Sequence, residues 1–446
     1  MESINHLLST LSGWVWGPAM LVLLLGTGIF LTIRLKFLPM RNLVYAFKLV
    51  WKGRHSSEDG DVPPTSSLMM ALSSTVGTGN IAGVAAALFI GGPGAIFWMW
   101  MTALVGMATK YSEAVLAVNY REVDEEGRHV GGPMYYIKNG MGEKWKPLAF
   151  AFATFGTIAA FGIGNMVQAN AVAGAMDSAF HIPNWITGLV LMGLVALVLF
   201  GGIQRIAHTA TTLVPLMAII YIGFALVILV MHSDQLPNAF GTIVTSAFTG
   251  SAAAGGFAGA SIILAIQFGV ARGVFSNEAG LGTAPIAHAA SQTKSPVRQG
   301  HIAMLGTFID TIIICTMTAL VIMVTNTWQS GETGSSLTSL AFSLGIGSTV
   351  GAMVVAICLA LFAFTTLVGW SYYGERCAEY IVGVQLLKPY RILWVVAVFA
   401  GAALSNYFNT VLILADVLNA LMAIPNLIAL LVLSPIIIKL TREYQK

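Results

Sequence analysis

The chain has 446 residues, of which 57% are hydrophobic and only 9% are charged, and its formal net charge is +3. Soluble globular domains carry about 25% charged residues, so this composition excludes a soluble fold. The small positive balance does not suggest nucleic acid as a partner. The composition therefore predicts a helical protein whose main partner is the lipid bilayer.

Runs of about 20 apolar residues, the length that crosses a bilayer, recur along the whole chain. They predict eleven spans, at residues 14–34, 66–90, 94–119, 147–176, 185–203, 209–231, 253–290 (broken), 300–325, 346–373, 389–405 and 411–438. Residues 40–52 predict a basic amphipathic helix on the membrane surface, and residues 236–248 predict a similar helix on the other side. The whole chain, 1–446, is interpreted as a single transmembrane domain.

The lysines and arginines test this span count, because they collect on the cytoplasmic side of membrane proteins. Of the 22 basic residues, all except Arg272 fall in or beside the same alternate connections. We therefore predict a multi-pass protein of the plasma membrane with its N-terminus outside and its C-terminus in the cytoplasm. The exception, Arg272, lies inside the broken seventh span.

The second predicted span is interrupted near its centre by small and polar residues. Residues 73–80 read Ser-Ser-Thr-Val-Gly-Thr-Gly-Asn, and two glycines so close together weaken a helix. Lipid supplies no partners for backbone polar groups, so a broken span must be buried in protein or line a wet cavity. Many secondary transporters bind substrate and coupling ion at such breaks, so the motif indicates transport.

The seventh predicted span contains a matching interruption, since residues 269–282 read Gly-Val-Ala-Arg-Gly-Val-Phe-Ser-Asn-Glu-Ala-Gly-Leu-Gly. Each break lies in the first span of a group of five spans, at 66–231 and at 253–438. Because the number of spans in each group is odd, the two groups have opposite orientations in the membrane. We predict an all-α membrane protein with the five-plus-five inverted repeat of LeuT-type transporters and one extra N-terminal span at 14–34. Glycines can also serve close helix packing, but packing does not explain the Thr, Asn, Ser and Glu in the two clusters.

Six motifs resemble those of the alanine or glycine:cation symporter family. They stand at residues 73–85, 91–100, 131–136, 161–168, 272–285 and 369–375. The resemblance covers nearly the whole chain. It implies uptake of small neutral amino acids, above all alanine and glycine, driven by sodium or sometimes by protons.

A zwitterionic amino acid needs hydrogen-bond donors for its carboxylate and acceptors for its ammonium group. Free N–H groups at the start of a half-helix suit a carboxylate, so we assign it to the backbone amides of Thr78 and Gly79. Gln168 lies in the mostly apolar fourth span, where an amide needs a polar partner. Gln168 therefore either satisfies a neighbouring helix or faces the substrate.

The second break supplies further candidates for the substrate site. Backbone carbonyls freed at Phe275, Ser276 and Asn277 could accept from the ammonium group, and the sequence does not tell which of them does. Trp370 in the ninth span is the best candidate for a wall that limits the size of the side chain, and Phe275 is the second. The alternative for Trp370 is an aromatic residue of the membrane interface.

Sodium is a hard cation and prefers oxygen ligands. By LeuT-type symmetry the ninth span passes beside the first break, so the hydroxyls of Thr365 and Thr366 and the carbonyls of Ser73 and Val76 would form an uncharged sodium site. The two threonines could instead bond to carbonyls of their own helix. Asn80 is a candidate ligand of a second ion site.

Ionisable residues inside the membrane are functional candidates by default. Asp310 could carry a coupling proton, bind a cation or pair with Arg272, and we expect the pairing first. Glu278 is a second candidate proton carrier. Lys110 and Glu113 are three residues apart on one predicted helix, so we expect a local ion pair between them.

The leading interpretation is a sodium-coupled symporter that imports alanine or glycine by alternating access. The first alternative is proton coupling through Asp310 or Glu278. A membrane-embedded enzyme is a remote alternative, because the chain contains no motif of a nucleophile with its base and no metal-ligand spacing among its cysteines and histidines. The oligomeric state cannot be read from the sequence.

Overall fold

The computed structural model describes residues 2–54, 56–249, 262–404 and 408–445, and these residues are mostly helical. The first half of the chain forms α1 (Glu2–Val15), α2 (Pro18–Arg34), α3 (Leu38–Arg41), α4 (Leu43–Lys52), α5 (Pro64–Thr75), α6 (Val84–Gly91), α7 (Gly94–Asn119), α8 (Pro133–Tyr136), α9 (Lys146–Ala159), α10 (Val167–Phe180), α11 (Asn184–Leu199), α12 (Gly202–Met231) and α13 (Leu236–Thr249). Strands β1 (Glu122–Val123) and β2 (His129–Val130) form a short antiparallel hairpin after α7.

The second half of the chain continues in the same way. It forms α14 (Ile262–Asn277), α15 (Ala284–Ala289), α16 (Pro296–Thr307), α17 (Thr316–Val324), α18 (Gly334–Ile346), α19 (Val350–Val382), α20 (Leu387–Ala403), α21 (Phe408–Val432) and α22 (Ser434–Tyr444). Within the described residues, four π-helical segments, in which the hydrogen-bond ladder is one residue wider, lie at Gly79–Gly83, Ile137–Met141, Ala160–Met166 and Phe308–Cys315. Such segments are frequent at functional sites.

Seven helices within the described residues are long and apolar enough to cross a bilayer. The bent pair Pro64–Thr75 and Gly79–Gly91 raises the number to eight, and α11, α14 and α18 are shorter apolar helices. Eleven spans therefore stay a prediction. The beginning of the predicted seventh span, residues 253–261, lies outside the described residues.

Several predicted boundaries differ from those of the structure. The predicted spans 185–203 and 209–231 lie closer together than expected, because a turn at Gly202, with φ +69°, lets α12 begin directly after α11. The span predicted at 346–373 continues to Val382, and α18 occupies a segment interpreted as a connection. The two predicted surface helices are helical, as α4 and α13.

Both predicted helix breaks are confirmed. The chain leaves α5 through Val76, whose backbone is extended, and turns by 54° before it continues as a helix. Helix α14 ends at Asn277, and Glu278 follows in the left-handed region with φ +56°. The two breaks lie side by side, since a Cβ atom added to Gly79 would lie 3.3 Å from the Cα of Ser276.

The connections that were predicted to share one side of the membrane meet at one end of the bundle. The backbone amides of Asp61 and Val62, just before α5, donate to the carbonyl of Ala290, just after α15. The guanidinium group of Arg121 donates to the carbonyls of Ser291 at 2.7 Å and Asp59 at 3.1 Å. The segments next to the two breaks are thereby held together at this end.

Candidate functional site

The first break presents its backbone amides to the side chain of Gln168. The N–H of Thr78 donates to Oε1 of Gln168 at 3.3 Å, and Nε2 of Gln168 donates to the carbonyl of Ile163 at 3.1 Å. Gln168 is buried, and it faces the break that was expected to bind the substrate. A carboxylate that binds the Thr78 amide must therefore displace the amide oxygen of Gln168.

Asn80 holds the first break in its bent conformation. Its Oδ1 accepts from the N–H of Gly77 at 2.9 Å, which satisfies a donor that the helix no longer pairs. Its Nδ2 donates to Oδ1 of Asp310 at 2.7 Å. Asn80 thus connects the first break to the π-helical segment that carries Asp310.

Three residues that were predicted to line the substrate site lie at the second break, beside the first break. The ring of Phe275 lies against Gly79 and is partly exposed. Ser276 is buried, and its hydroxyl donates to Oδ2 of Asp310 at 2.8 Å. The Asn277 side chain binds within the break, because its amide donates to Thr311 and its oxygen accepts from the next loop.

Trp370 is almost completely buried, with 1% of its surface exposed. The interpretation of Trp370 as an aromatic residue of the membrane interface is therefore wrong. Its indole N–H donates to Oε1 of Glu278 at 2.8 Å, and Oε2 of Glu278 accepts from the hydroxyl of Thr283 at 2.5 Å. The indole also packs against Gly164, where any side chain would collide with it.

The two threonines of α19 have different surroundings. The hydroxyl of Thr366 donates to the carbonyl of Val76 at the first break at 3.3 Å, and also to the carbonyl of Phe362 at 3.0 Å. The hydroxyl of Thr365 donates to the carbonyl of Phe362 at 2.9 Å and lies 3.5 Å from the sulfur of Met217 on α12. Both threonines therefore bond to their own helix, as the alternative interpretation predicts, but Thr366 also reaches the break.

Asp310 does not pair with Arg272, so that expectation is wrong. Its carboxylate accepts hydrogen bonds from Asn80, Ser276 and Thr311. The guanidinium group of Arg272 lies instead in a cavity of about 160 Å³ that Asp416 also lines, 5.6 Å from the ring of Phe275. Arg272 and Asp416 therefore line the same cavity, and no ion pair joins them in the described structure.

Lys110 and Glu113 do not form the expected local pair. Oε1 of Glu113 accepts from the backbone amides of Gly280 and Gly282 and from the side chain of Asn426 at 2.7 Å. The ammonium group of Lys110 is buried and has no hydrogen-bond partner among the described residues. Glu113 instead anchors the glycine-rich chain that follows the second break, a role that was missed although unpaired amides at a break require an acceptor.

Comparisons with known proteins agree with these features. The profile of the sodium:alanine symporter family matches residues 1–446. The sodium/alanine symporter AgcS of Methanococcus maripaludis is 50% identical over 99% of this chain and 97% of its own length. An uncharacterized transporter of Haemophilus influenzae is 49% identical over 99% of this chain and 96% of its own length. The amino-acid carrier protein AlsT of Bacillus subtilis is 38% identical over 100% of this chain and 93% of its own length.

A solved structure shares the fold at low sequence identity. A manganese transporter of Eremococcus coleocola superposes with a TM-score of 0.54 and 13% identity, covering 84% of this chain and 76% of that one. At this identity the likeness concerns the fold alone.

Proposed function

Because the chain belongs to the sodium:alanine symporter family and is thus a sodium-coupled amino acid symporter and not an enzyme, we propose that it imports alanine and glycine by alternating access around its two helix breaks. The observation that carries this proposal is the meeting of Thr78, Gln168 and Phe275 where the breaks touch. The name of AgcS, at 50% identity, supports alanine as the substrate. The probable sodium/glutamine symporter GlnT, at 36% identity, makes glutamine the informative competitor.

The proposed architecture has eleven spans, of which ten form the LeuT-type inverted repeat and one is the extra N-terminal helix. Support comes from the two breaks, which lie side by side. The clustering of basic connections at one end supports a cytoplasmic location for that end, with the N-terminus outside and the C-terminus inside. The protein resides in the plasma membrane in this proposal.

The substrate carboxylate binds the backbone amides of Thr78 and Gly79 in this proposal. It replaces the amide oxygen of Gln168, which then becomes free to accept from the substrate ammonium group. The backbone carbonyls of Phe275, Ser276 and Asn277 are further acceptors for the ammonium group. Gln168 thereby leaves the Thr78 amide to the carboxylate and turns to the ammonium group.

Trp370 limits the substrate side chain to a hydrogen or a methyl group in this proposal. Support comes from its burial and from its bond to Glu278, which immediately follows the second break. The packing against Gly164 fixes the other face of the indole. A rigid wall of this kind excludes larger side chains because the indole cannot turn aside.

The coupling sodium binds between α5 and α19 in this proposal. The carbonyl of Val76 and the hydroxyl of Thr366 are its main ligands, since they already lie within 3.3 Å of each other. The carbonyl of Ser73 and the hydroxyl of Thr365 complete the set. All four are neutral oxygen ligands of the kind that hard cations prefer.

Purified protein in proteoliposomes tests the proposal with labelled alanine under an imposed sodium gradient or an imposed proton gradient. Accumulation with sodium alone is expected, with competition by glycine and none by glutamine. Accumulation with protons alone would move the coupling role to Asp310 or Glu278. No accumulation under either gradient would contradict alanine as the substrate.

A further inference from the structure

A groove on the outside of the bundle lies between α10, α11, α12 and α19. It holds a cavity of about 440 Å³, and the described residues that line it are all apolar except Thr187. Helices α10, α12 and α19 belong to apolar segments that are long enough to cross a bilayer, and α11 is a shorter apolar helix. The groove therefore lies at membrane depth, where lipid and not water surrounds the protein.

The groove is open along its rim and closed at its floor. Val190, Leu194 and Ile357 line the rim and are exposed, whereas Val172 and Leu191 line the floor and are buried. Ligand pockets typically hold about 300–1,000 Å³, so the groove is larger than the gap that neighbouring side chains leave by chance. An apolar chain can enter the groove sideways from the bilayer without crossing water.

The hydroxyl of Thr187 is buried in the groove and has no hydrogen-bond partner among the described residues. The Thr187 side chain is only 7% exposed. Threonines in helices usually donate to the carbonyl four residues earlier, as Thr157, Thr211 and Thr212 do in neighbouring helices. A buried hydroxyl that makes no hydrogen bond is costly, so Thr187 indicates a ligand that brings an acceptor.

The depth of Thr187 indicates which acceptor the ligand brings. Thr187 lies in the first turns of α11, shortly after Trp185, whose side chain is exposed. Exposed tryptophans at the end of a span are typical of the headgroup level of a bilayer. A helix rises by 1.5 Å per residue, so Thr187 lies about 3 Å deeper than Trp185. At that depth a phospholipid carries the ester carbonyls that join its acyl chains to glycerol.

We propose that the groove binds one acyl chain of a membrane phospholipid, whose ester carbonyl accepts a hydrogen bond from the hydroxyl of Thr187. The chain continues along α11 past Leu191 and Leu194, which line the groove. A long apolar tail with a single acceptor at one end matches an apolar groove with a single unpaired donor at one end. The inference does not depend on which amino acid the protein transports.

The groove touches two helices that also reach the first helix break. Val172 lies one turn after Gln168 on α10, and Phe364 lies on α19 just before Thr366. The side chains of Gln168 and Thr366 both bond to the backbone of the break. A bound acyl chain packs between these two helices and thereby becomes part of the structure that holds their polar residues at the break.

Photolabelling in proteoliposomes tests the proposal, with a phosphatidylcholine that carries a diazirine on one acyl chain. Lipid around the protein labels the exposed rim in any case, so the informative positions are Val172 and Leu191 at the buried floor. Peptide mass spectrometry should find labels there in the wild type and a loss of them in Ala360→Phe, since Ala360 lines the groove and a phenyl ring would fill it. Ala397→Phe is the control, because Ala397 is a partly buried alanine of α20 outside the groove. Labels confined to the rim in the wild type, or unchanged floor labels in Ala360→Phe, would overturn the proposal.

Two diazirine phospholipids that differ only in an ester or an ether linkage test the contact with Thr187, and they keep the inference testable if Ala360→Phe does not fold. The ether lipid lacks the carbonyl and cannot accept the hydrogen bond. At equal low mole fractions, the ester lipid should label the floor about fivefold more than the ether lipid in the wild type and in Thr187→Ser, the effect of one hydrogen bond. Thr187→Val should be labelled equally by both lipids.

Equal floor labelling by the two lipids in the wild type would reject the ester contact. Floor labelling that a free fatty acid suppresses more strongly than unlabelled phosphatidylcholine does would make a fatty acid the occupant and overturn the phospholipid. None of these measurements uses transport as its readout. Their failure can therefore be distinguished from a failure of the proposed alanine symport.

Discussion

The indole N–H of Trp370 donates a 2.8 Å hydrogen bond to Glu278, the residue with which the chain leaves the second helix break. Glu278 has a positive φ of 56°, a conformation that costs a residue with a side chain about 1 kcal/mol or more. The surrounding contacts must offset this cost, and the bond to Trp370 is one of them. The position of the indole and the conformation of the break therefore depend on each other.

Trp370→Ala should admit larger amino acids to the substrate site. Removal of the indole opens space beside the breaks, so leucine and glutamine should compete with labelled alanine in the variant and not in the wild type. Trp394→Ala is the matched control, because Trp394 is also fully buried but bonds to the carbonyl of Leu367. An unchanged competition profile in Trp370→Ala, at normal uptake of alanine, would show that Trp370 is not the wall.

Gln168→Glu should weaken alanine binding more than Gln168→Ala does. The glutamate oxygen would take the place of Oε1 at the Thr78 amide, and its charge would make this hydrogen bond about twice as strong as the neutral one. The substrate carboxylate would then have to displace a stronger competitor. The half-saturation concentration of alanine uptake measures the effect.

A different result for Gln168→Glu would point to a different role. If Gln168 contacts only the substrate ammonium group, the added negative charge should tighten alanine binding or leave it unchanged. Gln168→Ala serves as the reference, because it removes the acceptor without adding a charge. A higher half-saturation concentration of alanine uptake in Gln168→Glu than in Gln168→Ala would show that Gln168 competes with the substrate carboxylate. A lower one would show that Gln168 contacts only the ammonium group.

The sequence predicted the helical bundle and both breaks, and its number of eleven spans stays a prediction. Hydropathy locates apolar runs, and the glycines at 77 and 79 and the run at 269–282 mark where helices break. Short apolar helices such as α18 fall below the length that identifies a span, so hydropathy alone cannot assign them. Boundaries such as that between α11 and α12 depend on one left-handed glycine, which a hydropathy window does not detect.

The sequence predicted which residues meet in the site better than it predicted their hydrogen-bond partners. It placed Thr78, Gly79 and Gln168 in one hypothesis, and the structure brings them together. The partners of Asp310 could not be predicted, because Asn80 and Ser276 are 230 and 34 residues away in the chain. Pairing opposite charges is a weak guide inside a bundle, since neutral donors can satisfy a buried carboxylate equally well.

Thr366→Ala should raise the sodium concentration of half-maximal uptake by about fivefold, the effect of losing one neutral oxygen ligand. Thr365→Ala should have the smaller effect, because its hydroxyl bonds to Phe362 and lies beside Met217 and not at the break. Thr366→Ser keeps the hydroxyl and is the control. Unshifted sodium dependence in both alanine variants would make the assignment of this site wrong.

Arg121→Ala should loosen the end of the bundle where the segments beside the two breaks meet. Arg121 donates four hydrogen bonds to backbone carbonyls, at Asp59 before the first break and at Ala289, Ser291 and Thr293 after the second. In the proposed transport cycle these segments must separate when this end opens. Arg121 therefore stabilises the conformation in which this end is closed.

Hydrogen exchange measures this effect at the amides of Asp61, Val62 and Gln292, which bond across the same junction. Exchange there should accelerate about tenfold or more in Arg121→Ala, because hydrogen bonds from a charged donor stabilise by about 1.5–3 kcal/mol. Arg205→Ala is the control, since Arg205 bonds to Leu197 and joins neither segment. Faster exchange at the junction with unchanged exchange in α12 would identify Arg121 as the link that opens in transport, whereas equal acceleration everywhere would reduce it to a general stabilising residue.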